Sequence, residues 1–288
     1  MYKKSLSYPH LAWMAVFVLV PIGIIFLYSI NVFPAGDASG FALINYQKLF
    51  SDALYLKTFG YSLYIALLST VFCLGFGYPV AYILAKREQQ RLKAGKKSST
   101  MFMLFVMPMW MNMMLRTYSW LTILEDNGLL NTMLAFFHLP KVSILYTTSA
   151  VVLGMVYDFV PFMILPIYSV LVKIDSSIKE AAEDLGANPA RVFFKVTLPM
   201  SLPGVVSGIT MVFLPSITTF YISNIFGGGH TMLVGNLIER QFLGASDWNY
   251  GSAMAIVMML LMFASMKIMN LFNKGNQQMA MFKFIASI

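Results

Sequence analysis

EAAEDLGANPARVFFKVTLP, running from Glu180 to Pro199, is a charged and punctuated stretch between two long apolar ones. Its residues specify a local structure. Ser177-Ile-Lys-Glu180 fits a capping box, in which the serine accepts from a backbone N–H and the glutamate reaches back. Helix continues from Glu180 to Leu185, with Ala181 and Ala182 supplying high propensity and almost no bulk. Gly186 stands where a helix ends through a left-handed residue. Asn188-Pro189 supplies an N-cap and a first-turn proline for a second helix, Ala190 to Val196, leading to Leu198-Pro199. The expected product is an exposed helix–turn–helix. Small residues on a capped helix admit another surface at close range, which points to docking. The competing reading is capping for stability alone.

The surroundings say where this turn sits. Of 288 residues, 58% are hydrophobic and 11% charged, where soluble domains carry about 25% charged residues. A helical crossing takes roughly 20 apolar residues. Six stretches qualify, near 11–31, 58–85, 101–123, 146–171, 199–224 and 251–272. The first follows Lys3 and Lys4 but is too long for a signal peptide, and no small-residue cleavage site follows, so it reads as an anchor. The fold class expected is all-α integral membrane, a single six-helix domain over 1–288 with the turn in the loop 173–198.

Lysine and arginine set the orientation. Lys86, Arg87, Arg91, Lys93, Lys96 and Lys97 follow the second span, and Lys173, Lys179, Arg191 and Lys195 follow the fourth. Lys274 and Lys283 lie in the tail, whereas the opposite side offers Lys48, Lys57, Lys141 and Arg240. Both termini and the Glu180 turn are therefore expected to be cytoplasmic. On the other side, 127–140 carries Leu130, Met133, Leu134 and Phe137 at helical spacing. That pattern suits a short helix along the outer surface or a buried connector.

Several functions are disfavoured. One cysteine, Cys73, permits no internal disulfide, and His10, His138 and His230 match no metal spacing. Catalytic residues and a metal site are not expected. Gly95-Lys96-Lys97-Ser98 approaches a phosphate-binding loop, but Gln90 stands where the leading glycine belongs and no strand precedes it. A basic face for nucleic acid lacks the aromatic interleaving such a face needs on a soluble fold. A membrane enzyme would need a convergent constellation at one depth. An ion-driven carrier or channel would show paired broken helices in a repeat, or a selectivity ring.

Glu180-Ala181-Ala182, Gly186 and Val196-Thr197-Leu198-Pro199 resemble the EAA signature of ABC importer permeases, with Val196 at the usual isoleucine. The resemblance implies a type I importer architecture in a bacterial cytoplasmic membrane. It makes the turn a coupling helix seated in a separate ATPase, with Glu180, Ala181, Ala182, Gly186, Leu198 and Pro199 carrying the coupling. It also implies a second permease, two ATP-binding subunits that use ATP and Mg, and an extracellular or periplasmic substrate-binding protein. No cofactor is expected on this chain.

The cargo is read from fewer residues. Asp158, in the fourth span, is costly at that depth by about 2.5–3.5 kcal/mol. Arg116 in the third span is its available partner, the two lying about 18 and about 12 Å from the outer ends at 1.5 Å per residue. Ion pairing and substrate contact both remain open. Pro161, Pro166 and Pro215 are expected to interrupt spans four and five, which would then line the cavity. Glu125, Asp126, Glu239 and Asp247, with Trp120, Trp248, Tyr157 and Tyr221 near in sequence, suit an elongated organic cation. PMWMNMMLRTYSW (108–120), EDNGLLN (125–131), FYISNIFGGG (220–229) and GNLIERQFLGASDWNYGSA (235–253) resemble permeases of spermidine/putrescine importers. Importers of thiamine, iron or other compounds share parts of these motifs. The resemblance implies Asp158, Glu125, Asp126 and Glu239 as candidate contacts, with Tyr157 and Tyr221 stacking. Gly227 to Gly229 reads as an outer loop.

Overall fold

The structure is a computed structural model and describes residues 8–32, 43–96 and 101–285. Lys3, Lys4, Lys97 and Ser98 lie outside the described residues, among which there is no strand. Helices α1 (Tyr8–Met14) and α2 (Val20–Ser29) are joined by a π turn, Ala15–Leu19, and α3 (Ile44–Ser51) precedes the long α4 (Ala53–Lys93). Next come α5 (Met101–Val106), α6 (Met113–Leu124), α7 (Leu129–Phe136) and α8 (Thr148–Leu171). Helices α9 (Ser176–Asp184) and α10 (Pro189–Val192) lead through a π turn, Phe193–Thr197, into α11 (Leu198–Thr218). The chain ends with α12 (Tyr221–Gly227), α13 (Val234–Glu239) and α14 (Trp248–Ile285).

Among the described residues five helical runs are long and apolar enough to cross a membrane: Leu11–Ser29, Ala53–Lys93, Thr148–Leu171, Pro189–Thr218 and Trp248–Met269. The stretch expected as one span over 101–123 is instead broken. After α5, a 3-10 turn holds Met107–Trp110 and Met111 is extended. Asn112 then caps α6 by accepting from the Met114 amide at 2.8 Å. Pro108, lacking an N–H, and Asn112, competing for a backbone donor, make the interruption local and chemical.

The prolines of spans four and five behave differently from expectation. Helix α8 continues through Pro161 and Pro166, and α11 through Pro203 and Pro215. Each ring forfeits one backbone bond without ending its helix, because packed neighbours hold the chain in place.

The residues group into two compact units, 1–61 with 233–264 and 62–232 with 265–288. In the first, Asp52 starts α4 by accepting from the Leu54 amide at 2.9 Å and also takes the Tyr250 hydroxyl at 3.1 Å. Asn249 donates to Asn31 at 2.8 Å, and Asn45 donates to the Ser29 carbonyl at 3.2 Å. Lys48 sits 3.9 Å from Asp247 and over the Tyr250 ring.

The second unit is built around α8, whose apolar window is 61% buried. Ser69 of α4 donates to the Met155 sulfur at 3.3 Å, and the Tyr78 and Ser201 hydroxyls, 2.9 Å apart, join α4 to α11. Thr210 of α11 donates to the Met269 sulfur of α14 at 3.0 Å. At Gly154 the Phe226 ring of α12 lies where a side chain would go: an added Cβ would meet Cε2 at 2.3 Å.

Gly154→Val should therefore destabilise the purified protein by about 1–3 kcal/mol through overpacking. Gly75→Ala, where a Cβ meets nothing within 4 Å, should leave thermal unfolding unchanged or slightly improved.

Candidate functional site

Two constellations carry the chemistry, and the first is the turn around Gly186. Helix α9 begins two residues earlier than the capping-box reading requires. Asp175 is its N-cap, accepting from the Ser177 amide at 2.9 Å, so Ser177 is a recipient of the cap instead of its source. A carboxylate two residues upstream satisfies that amide directly, and Glu180 turns away to pair with Lys93 of α4. Hydrogen bonds from Ser177 hold the Asp175 carboxyl below its usual range. The cap is present above that range and is lost as pH falls through the lowered value.

At the other end, the Gly186 amide donates to the Glu183 carbonyl at 2.8 Å and the Ala187 amide to the Ala182 carbonyl at 3.1 Å. Gly186 has φ +80°, the left-handed value such a C-terminal closure demands. Asn188 caps the next helix by accepting from the Arg191 amide at 2.8 Å, with Pro189 in its first turn. Beyond this cap, expectation and structure part. The second helix is no separate piece, because Pro189–Thr218 is one helical run. The π turn at Phe193–Thr197 contains Lys195, four residues before Pro199, where the proline ring would clash with an ordinary helical carbonyl. Leu198 and Pro199 therefore lie inside a rod that extends from the turn into span five.

Leu185, at the tip, is 89% exposed. Sequence reasoning passed over it. Its signal was available: a large apolar residue immediately before a helix-ending glycine, on an otherwise charged segment.

The second constellation lies between α6 and α8. Arg116 Nη2 is 3.1 Å from Asp158 Oδ1, and both side chains are almost fully buried. Thr117 donates to Asp158 Oδ2 at 3.2 Å while also reaching the Met113 carbonyl at 2.9 Å, so one hydroxyl proton is divided between two acceptors. The guanidinium carbon lies 5.8 Å from the Tyr157 ring, which meets Trp120 edge-on at 5.1 Å. Tyr221 stands on α12, which packs against α6 and α8, and its hydroxyl is buried with no hydrogen-bond partner. Arg116 Nε is buried with no hydrogen-bond partner. A paired charge with one unsatisfied donor is poor stabilisation for its desolvation, yet removing one partner strands the other.

Glu125 is the C-cap of α6, and with Asp126 it is exposed. Nine residues separate Glu125 from Arg116, about 13 Å along a helix. Glu239 ends α13 in the first unit, where Asp247 is engaged with Lys48 and the Tyr250 amide. The structure thus brings together Arg116, Asp158, Tyr157 and Tyr221 and leaves Glu125 and Asp126 apart from them. Asn131, missed in the sequence, clamps the adjoining loop: it donates to the Glu125 and Val142 carbonyls and accepts from the Val142 amide at 2.8 Å. Among the described residues no group of histidine, cysteine or carboxylate side chains could hold a metal ion.

Breaking the buried pair from one side should cost about 3–5 kcal/mol, as with Arg116→Met or Asp158→Leu alone. The double variant should lose less than either single one in thermal unfolding. Additive losses would show that the two charges are not coupled.

Comparison with known proteins shows the family. Residues 77–277 match the family described as binding-protein-dependent transport system inner membrane component. The chain is 36% identical over 260 residues to the spermidine/putrescine transport system permease protein PotB of Escherichia coli (strain K12), covering 87% of this chain and 90% of that protein. It is also 36% identical over 274 residues to PotB of Haemophilus influenzae, covering 91% and 92%. A chain of a bacterial alginate ABC transporter, crystallised with an alginate pentasaccharide-bound periplasmic protein, superposes with a TM-score of 0.75 at 14% identity. That match covers 92% of this chain and 91% of that one, and it speaks for the fold. The protein is an all-α ABC importer permease of type I architecture, a member of the inner membrane components of binding-protein-dependent transport systems.

Proposed function

We propose that this permease forms half of the translocation pathway of an ATP-driven polyamine importer. The observation that carries the coupling half of this reading is the doubly capped turn, exposed at Leu185 and continuous with the rod Pro189–Thr218. A separate ATPase binds that turn, using Ala181, Ala182 and Leu185 as its contacts, while Gly186 fixes its shape. Two such ATPase subunits, with ATP and Mg, close on nucleotide binding and push the turn. Through Leu198 and Pro199 the motion enters span five, and the pathway alternates its opening. A second permease completes the pathway, and an external substrate-binding protein delivers cargo. Both termini and α9 face the cytoplasm, as the basic residues of the loops after spans two and four require.

Polyamine as cargo is supported by the likeness to PotB and by the aromatic side chains beside the buried pair. Tyr157 and Tyr221 offer partly exposed ring faces to an alkylammonium chain. Glu125, Asp126 and Glu239 are proposed to attract it at the outer side. Asp158 is already held by Arg116, so it takes part only if that pair opens.

The assembled transporter, reconstituted with its binding protein, should hydrolyse ATP faster with spermidine or putrescine. Stimulation by thiamine or iron and not by polyamines would contradict the cargo. Leu185→Asp should weaken ATPase association by about ten- to a hundredfold, the worth of one buried leucine at about 1.5–3 kcal/mol. The chain should still insert in the membrane. Copurification of the ATPase at the original level would remove Leu185 from the interface.

A further inference from the structure

A docking helix can transmit force only if it is held at a fixed angle to the helices above it. Helix α9 follows α8 across the short connection Val172–Asp175, in which the Val172, Lys173 and Ile174 amides donate to the Tyr168, Val170 and Leu171 carbonyls. The last carbonyls of a helix are orphaned, and α8 ends at Leu171. Local amides meet the Tyr168 and Val170 carbonyls, and the Leu171 and Ile174 carbonyls also receive a residue far away in sequence. The Gln89 amide nitrogen, near the end of α4, donates to the Leu171 carbonyl at 2.9 Å and to the Ile174 carbonyl at 2.7 Å. The Val172 carbonyl lies farther off at 3.4 Å. Two amide hydrogens thus find two well-placed acceptors. The same side chain's oxygen accepts from Lys179 Nζ of α9 at 2.9 Å. Carbonyls on one side and an ammonium on the other permit a single orientation of the amide.

We infer that Gln89 is a positioning residue for ATP coupling, the joint that locks the docking helix to the ends of spans two and four. The amide works in both senses at once, as donor to the α8 terminus and acceptor from α9. Neither leucine, which lacks both, nor glutamate, which lacks the donors, can replace it. The Lys93–Glu180 pair is a second tie between α4 and α9, but it is exposed and contributes little. Lys179 is half-buried, and burial, followed by the nearby Lys86 and Lys93 charges, pulls its pKa below the usual lysine range. That charge is kept at a cost, and Gln89 is what receives it.

This inference rests on the proposed coupling role of α9. The test uses the complete transporter in liposomes, with Gln89→Leu, Gln89→Glu and Gln89→Asn. Spermidine taken up per ATP hydrolysed should fall about tenfold in the first two, while ATPase copurification and the hydrolysis rate stay within about twofold. Gln89→Asn, retaining the amide on a shorter stem, should recover part of the ratio. A second readout is independent of cargo. Spin labels at Arg91→Cys on α4 and Glu183→Cys on α9, in a Cys73→Ala background, should give one narrow distance with and without nucleotide. Gln89→Leu should broaden it. An unchanged distance distribution in Gln89→Leu, or parallel loss of hydrolysis and uptake, would overturn the joint while leaving the docking role intact. Failure of any ATPase to copurify with the unmodified chain would overturn both.

Discussion

A backbone in a bilayer must satisfy its own hydrogen bonds, and in this chain one helical run continues from Pro189 to Thr218 although Pro199, Pro203 and Pro215 each lack an N–H to donate. Two prolines near the membrane entry threaten the continuity. The π turn just before Pro199 shifts the bonding register so that the helix neither stops nor swivels there. A loop tethered by flexible residues would absorb a push as local motion. A rod that begins in the proposed docking element would pass the push to the span itself.

The same logic explains why α8 is so enclosed. It carries the buried carboxylate of Asp158, two internal prolines and the close approach of the Phe226 ring at Gly154. Each feature would be destabilising on an isolated helix, and each is supported by contacts with α4, α6, α11 or α12. The Arg116–Asp158 pair joins α6 to α8 by charge, with both side chains almost fully buried. Its divided hydroxyl proton and orphaned Nε leave it less than fully satisfied. Such a pair resists separation by leaving a stranded charge behind, and its net contribution to stability is small.

Much of this was legible in the sequence because it depended on local chemistry. Gly186 and Asn188-Pro189 declare a helix end and a helix start, and the structure places them so. The meeting of Arg116 and Asp158 followed from two costly charges at neighbouring depths. The cap of α9 was misassigned because Asp175 and Ser177 are both good cap residues, and only the three-dimensional path decides which amide is reached. The break at Met111 was hidden by hydropathy, which counts apolar residues and is blind to a single extended one. Gln89 was invisible for a different reason. Its partners are more than eighty residues away, and nothing in a charged loop distinguishes a glutamine bound for solvent from one that caps a distant helix.

The central claim is that the turn around Gly186 is a cytoplasmic contact for a separate ATPase. It is tested most directly by placing a cysteine at Ala182 in a Cys73→Ala background and labelling intact membranes with an impermeant thiol reagent. The account predicts labelling only from the cytoplasmic face, and protection from it when the ATPase is bound. Labelling from outside, or labelling indifferent to the ATPase, would contradict it.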